Sequence, residues 1–142
     1  MRVVGNVLWL LVAGLWLTLS YLLAGVVACL SVVGIPFGIQ SFKLAGYALW
    51  PFGRVVVDVP GRDRALGCLG NAAWLLLGGW WLALFQVALA VVFFVTIVGI
   101  PFGIACVRMA ALALFPFGKT VVSQDEVPPG ARVVAGPIRR RP

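Results

Sequence analysis

The chain has 142 residues, 63% of them hydrophobic and 11% charged, with a formal net charge of +7 and a mean hydropathy of +1.10. Soluble domains carry roughly 45–50% apolar and about 25% charged residues, and a chain this short has no interior large enough to hide the excess. The composition therefore excludes a water-soluble globular domain and predicts an all-α integral membrane protein.

Arg2 precedes the first apolar run, and from Val3 to Gly53 the only formally charged side chain is Lys43. A spanning helix needs about 20 apolar residues, so the run is long enough for two crossings if the second is short. Val26-Val27-Ala28-Cys29 resembles a lipoprotein processing site, but the apolar run continues far past it and the same segment recurs internally. An uncleaved helix is expected. It is predicted over Gly5 to Val33, about 43 Å at 1.5 Å per residue, which exceeds the ~30 Å hydrocarbon core and implies tilt or protrusion. Asn6, near its start, is expected to make a helix-end hydrogen bond or a helix contact rather than hold a ligand. The six tryptophans, at 9, 16, 50, 74, 80 and 81, read mainly as interface anchors.

Gly34-Ile35-Pro36-Phe37-Gly38-Ile39 follows. Gly34 is expected to stop the first helix, using the positive φ that glycine tolerates, and Pro36 to open the second. Gly34, Pro36 and Gly38 thus form a helix-break motif that reverses the chain. The second helix runs from about Pro36 to Trp50 and is ended by Pro51 and Gly53. At about 22 Å it is short for a full crossing, so it crosses a thinned region, crosses in part, or lies along the interface.

On that helix Gln40, Lys43 and Tyr47 share one face. A cation inside an apolar segment is a functional-site hypothesis in its own right. Lys43 either snorkels to lipid headgroups, lines a constriction in an ion path, or pairs internally, for which partners are scarce.

Arg54 to Val59 is a β-branched run beside a charge and reads as a strand. Pro60-Gly61 is a turn, and Arg62-Asp63-Arg64 a solvated loop. The chain then repeats itself at a shift of 65 positions: Asn6 falls on Asn71, Trp9 on Trp74, Gly34-Ile35-Pro36 on Gly99-Ile100-Pro101, Lys43 on Arg108, Pro51-Phe52-Gly53 on Pro116-Phe117-Gly118. About 26 of 58 aligned positions are identical, which marks an internal duplication. Gly99, Pro101 and Gly103 are the second break motif. The second cationic face, Ala105, Arg108 and Leu112, is mostly apolar. Gly78-Gly79-Trp80-Trp81 suggests close backbone packing within or between chains. Lys119 to Ser123 reads as a second strand, able to pair with the first. The tail beyond it ends in Arg139-Arg140-Arg141.

Residues 1–58 and 66–123 are accordingly read as membrane repeats, 59–65 as a cytoplasmic linker and 124–142 as a basic flexible tail. Basic residues stay cytoplasmic. Outside Lys43 and Arg108 they fall at Arg2, at Arg54, Arg62 and Arg64, and at Lys119, Arg132 and the terminal arginines. All three groups share one side if each repeat returns to the side it entered from, by two crossings or by a re-entrant loop. The repeats are then parallel, related by an approximate two-fold axis along the membrane normal, with a small cytoplasmic two-stranded sheet.

Chemistry has little to stand on. There is no His, and the four acids lie outside the apolar runs. No catalytic constellation, metal-ligand set, cofactor motif or phosphate loop is legible, and Cys29, Cys68 and Cys106 show no disulfide or zinc spacing. A non-enzymatic protein is expected. Its partners are the bilayer, anionic lipid headgroups and further copies of itself; lipid rather than nucleic acid is the expected contact of the basic tail.

The segments "GIPFGIQSFKLAGYALWPFGRVVV" and "GIPFGIACVRMAALALFPFGKTVV" resemble two copies of the YccF-type inner membrane component domain, over roughly residues 1–123. Phe42-Lys43-Leu44-Ala45 matches the pattern of that family; Val107-Arg108-Met109-Ala110 keeps the cation but not the Phe. The resemblance implies a multi-pass protein of the bacterial inner membrane. Two roles are expected for it: an oligomeric pore or transport component, or a non-transporting scaffold that binds lipid or a partner.

Overall fold

In the computed structural model, which describes residues 2–58 and 64–136, the first apolar run is a helix, α1, over Arg2–Cys29. A π-helical turn interrupts its regular winding at Leu10–Gly14. The helix ends where the chain reaches Ser31, whose hydroxyl accepts a hydrogen bond from the Gly34 N–H at 3.0 Å. The N–H of Leu30 donates to Val27 O and that of Gly34 to Ser31 O. The second helix, α2, spans Ile35–Leu49, with Gly34 as its N-cap and Pro36 in its first turn, where a missing N–H leaves no bond unmade.

The break does not work through the positive φ expected of it. Gly34 sits at φ −81° and Gly99 at φ −78°. Glycine is required there for space: a Cβ on Gly34 would collide with the carbonyl oxygen of Ala28, and one on Gly99 with that of Phe93. The positive φ falls at Gly53 (98°) and Gly118 (83°), where each repeat leaves its second helix. A side chain is strained in that conformation.

α1 and α2 form an antiparallel hairpin. Gly38 packs against Cys29 and Gly25, and Phe42 lies over Gly25. Farther from the turn, the Thr18 hydroxyl donates to Gly14 O at 2.7 Å, and the Trp9 indole N–H donates to Ala48 O, also at 2.7 Å. The chain then runs through the buried Pro51 to Gly53. This hairpin forms one compact unit, ending at Gly53; the second unit begins at Arg54.

In the second unit the long segment that the repeat aligns with the first helix is divided. It consists of α3 (Arg64–Trp74), a π-helical turn (Leu75–Gly79) and α4 (Trp80–Phe94). The flanking helices are bent by 70°. Glycine pairs and π turns are common causes of sharp helix bends. Here the Gly78-Gly79 pair lies in the turn, and the Trp74 ring occupies the space a side chain at Gly79 would need. The return helix α5 spans Ile100–Leu114.

The departure of the second repeat at Val107 is matched elsewhere in its own hairpin. Phe42 covers Gly25 in the first repeat, whereas Phe94 covers Gly103 in the second. The aromatic ring that fills the space between the helices comes from the opposite strand of the hairpin.

Of these helices, Arg2–Cys29 alone is long and apolar enough to cross a membrane unaided among the described residues, and α4 qualifies only jointly with the segment before its bend. The return helices, 15 residues each, fall short of the ~20 residues of a full crossing.

The expected strands form, as β1 (Arg54–Asp58) and β2 (Lys119–Ser123), and they pair antiparallel. The sheet has three strands rather than two, in the order β2-β1-β3. The third, β3 (Arg132–Ala135), comes from the tail expected to be flexible. Gly130, at φ 78°, and a hydrogen bond from Ala131 N to Pro128 O turn the chain back. Arg132-Val133-Val134 can then add to β1 much as Lys119-Thr120-Val121 does. β1 is the central strand, and Val55, Val56 and Val57 are all buried.

The two break glycines differ from Gly46, around which there is open space. Gly34→Ala and Gly99→Ala are expected to destabilise the fold by about 1–3 kcal/mol each, as overpacking does, while Gly46→Ala is tolerated. Denaturant titration of the purified variants in detergent measures the difference. Strand register gives a second check. Cysteines at Val55 and Val122, which face each other, should cross-link, whereas cysteines at Val56 and Val122 point to opposite faces and should not.

Candidate functional site: the cationic return helices and the closed hairpin ends

The cations expected from the sequence both lie within the return helices. Lys43 is half-buried on α2, with the fully buried Tyr47 one turn on and Gln40 one turn back. Oε1 of Gln40 is buried and has no hydrogen-bond partner. These three side chains share a face, as their spacing requires. Arg108 is half-buried on α5, and its flanking positions Ala105 and Leu112 are buried and apolar. Each cation thus holds the same register in its own hairpin, but only the first has polar neighbours along its helix. No acidic residue occurs in the sequence from Met1 to Gly53 or from Arg64 to Gly118.

The break-motif residues are structural. Gly38 and Gly103 are buried where the two helices of each hairpin come closest, while Pro36 and Pro101 are exposed at the start of the return helices. None presents a polar side chain that could hold a ligand.

A polar residue the site reading passed over is Gln86, fully buried on α4. It aligns with Tyr21 of the first repeat, also buried. An amide inside the apolar stretch between Asn71 and Arg108 was its one visible sign in the sequence.

The asparagines close the ends of the hairpins. Asn6 Nδ2 donates to Phe52 O at 2.9 Å while its Oδ1 accepts from Phe52 N–H at 2.9 Å. Asn71 makes the same pair with Phe117, at 3.2 and 3.0 Å. Two of the tryptophans belong to this closure rather than to the membrane interface. Trp9 and Trp74 are buried, and their indole N–H groups donate to the carbonyls of Ala48 and Ala113. Those carbonyls lie in the last turn of each return helix, where no intrahelical donor remains. Trp16, Trp50, Trp80 and Trp81 are exposed.

Beyond the hairpins, Lys119 stands opposite Asp58 in the sheet, with its ammonium 5.2 Å from the centre of the Phe115 ring. Burial lowers its pKa, and the charge of Asp58 acts in the opposite direction. Arg54 and Arg132 add further positive charge on β1 and β3. Arg62 and the terminal arginines lie outside the described residues. The three cysteines are free, and no cluster of potential metal ligands occurs among the described residues.

Helical hairpins with internally bonded ends and long rows of exposed Leu, Val and Ile define a membrane protein, because hydrocarbon tolerates apolar side chains but not open backbone groups. The YccF inner membrane component domain matches residues 4–54 and again 69–119. The chain is also similar to the inner membrane protein YccF of Escherichia coli (strain K12), being 34% identical over 133 residues that cover 88% of this chain and 90% of that protein. The YccF protein of Shigella flexneri matches to the same extent. No solved structure matches. The chain belongs to the YccF inner membrane component family, with two copies of its domain, and is an inner-membrane protein.

Replacing Asn6 by Leu leaves both the N–H and the C=O of Phe52 without their partner. A loss of about 1–3 kcal/mol per unsatisfied buried group is expected, and Asn71→Leu should behave alike. Thermal unfolding in detergent, with Asn6→Gln as a size control, measures the loss.

Proposed function

We propose that the protein is a non-enzymatic membrane module that gathers anionic lipid headgroups on the cytoplasmic face of the inner membrane. The carrying observation is Arg108: a half-buried guanidinium on an otherwise apolar helix face, in a run with no carboxylate from Arg64 to Gly118. An arginine at such depth needs an anion or water. A lipid phosphate reached by snorkelling supplies one, and guanidinium binds phosphate bidentately. Lys43 holds the matching position in the first hairpin, with Gln40 and Tyr47 on the same face. Arg54, Lys119 and Arg132 on the sheet, and the arginines of the linker and tail, extend the same charge.

The topology that goes with this reading puts the N-terminus, the connection between the hairpins and the tail on the cytoplasmic side. Support comes from the closed ends: Asn6 bonded to Phe52, and Asn71 bonded to Phe117, return each hairpin to the end at which it began.

A second reading, an oligomeric pore or transport component, is favoured by one observation. Oε1 of Gln40, buried and without a partner beside Lys43, is a polar group that a purely lipid-facing helix does not need. Several copies of the chain would be required to enclose a path.

Reconstitution separates the two. In liposomes of zwitterionic lipid with or without phosphatidylglycerol, the first reading predicts anionic lipid enriched around the protein and no ion flux. Lys43→Gln with Arg108→Gln should weaken that enrichment by about 1 kcal/mol per cation, roughly fivefold each. Ion flux abolished by the same double substitution would replace this reading by the second.

A further inference from the structure

We propose that the tips of both hairpins end inside the bilayer, against the acyl chains of the far leaflet, and never reach water on the far side. The inference uses the reading above only to say which face the hairpins enter from.

Apart from the turn hydroxyls of Ser31 and Thr96, the tips are apolar. Leu30, Val32 and Val33 in the first hairpin, and Val95, Ile97 and Val98 in the second, are 77 to 87% exposed. No charged residue occurs from Leu17 to Phe42 or from Leu82 to Val107. Each loop, emerging into water, would present three large apolar side chains with nothing to cover them, whereas acyl chains cover them all.

The backbone of the turn is wound to suit such surroundings. The N–H groups of Leu30, Ser31, Gly34 and Ile35 donate to carbonyls three residues back, and in the second hairpin those of Thr96, Gly99 and Ile100 do the same. The Ser31 and Thr96 hydroxyls bond within the turn as well, each donating to a carbonyl at the end of its helix and accepting from the glycine N–H. In hydrocarbon, non-helical backbone must satisfy itself in this way; in water it need not.

Tryptophan is absent from the tips. A segment that crosses both faces carries Trp and Tyr at each. Here the exposed Trp50 stands at the closed end of the first hairpin, Trp16, Trp80 and Trp81 stand part-way along their segments, and no tryptophan occurs between Trp16 and Trp50 or between Trp81 and the end of the chain. From Trp50 at the closed end back to Ile35 at the tip, the return helix rises about 22 Å. That depth passes the midplane but falls short of the ~30 Å hydrocarbon thickness.

Cysteine accessibility in native membranes tests this. In a full-length chain with Cys29, Cys68 and Cys106 changed to Ala, single cysteines are placed at Val33, Val98 and, at the closed ends, Thr120. A membrane-impermeant maleimide is applied to right-side-out spheroplasts and to inverted inner-membrane vesicles. Val33→Cys and Val98→Cys are expected to stay unlabelled in both preparations and to label fully once the protein is unfolded in SDS. Nitrobenzoxadiazole attached to the same two sites before reconstitution should be quenched by lipids brominated deep in the acyl chain. Labelling of either tip cysteine in intact spheroplasts would overturn the proposal, whatever the lipid preference of the protein. The Thr120→Cys control reports the entry face separately. Its labelling from the periplasmic side would remove the cytoplasmic assignment yet leave buried tips as evidence for the proposal.

Discussion

A backbone that turns within an apolar surrounding has to bond to itself. The features that close each hairpin at its base answer that demand. A return helix that stops at Leu49 or Leu114 leaves its last carbonyls open, and Ala48 and Ala113 are fully buried. The indole N–H groups of Trp9 and Trp74 take the carbonyls of Ala48 and Ala113. The side-chain amides of Asn6 and Asn71 take both backbone groups of Phe52 and Phe117. The duplication preserved these four polar side chains in place while the apolar residues around them changed.

The closure decides how the rest of the chain is used. Because each hairpin ends beside its own beginning, a charged segment leaves each from its closed end. β1, β2 and β3 form one three-stranded sheet, with β1 between two neighbours and its valines buried. The opposite ends, at Leu30–Gly34 and Val95–Gly99, carry no charge at all. Each hairpin is therefore polarised along its length, from a charged, hydrogen-bonded base to an apolar tip. Lys43 and Arg108 lie between the two. Membership of the inner membrane component family gives that polarity its meaning, since a bilayer presents the same gradient from headgroup to hydrocarbon.

Much of this was legible in the sequence, and for physical reasons. The repeat, the helix break and the two β-branched strands are local signals, carried by Gly-Ile-Pro and by runs such as Arg54-Val55-Val56-Val57. The pairing of β1 with β2 followed from their equal places in the repeat. Part of what stayed hidden depends on contacts between residues distant in sequence. Nothing local in Trp9 says that it will be buried against Ala48 rather than set in the interface. The role of Gly34 was read as conformational and is steric: only the geometry of the turn shows that it makes room for the carbonyl oxygen of nearby Ala28. The bend at Gly78-Gly79 was missed although its cause, a glycine pair in a π-helical turn, is local; the addition of β3 was missed because it depends on a distant edge. Arg132-Val133-Val134 is too short to declare itself a strand until β1 offers it an edge. The shared face of Gln40, Lys43 and Tyr47 was visible from spacing alone; the burial of Gln86 was not.

The account stands on the closed hairpin, and amide hydrogen exchange in lipid nanodiscs tests it most directly. Phe52 and Phe117 lie outside any helix or strand, so their N–H groups should exchange as fast as those of a loop unless the asparagines hold them. Protection at both residues comparable to that within Ile35–Leu49 is the expected result. Rapid exchange at Phe52 and Phe117, with the helices themselves protected, would show that the hairpins are open at their bases and would contradict the account.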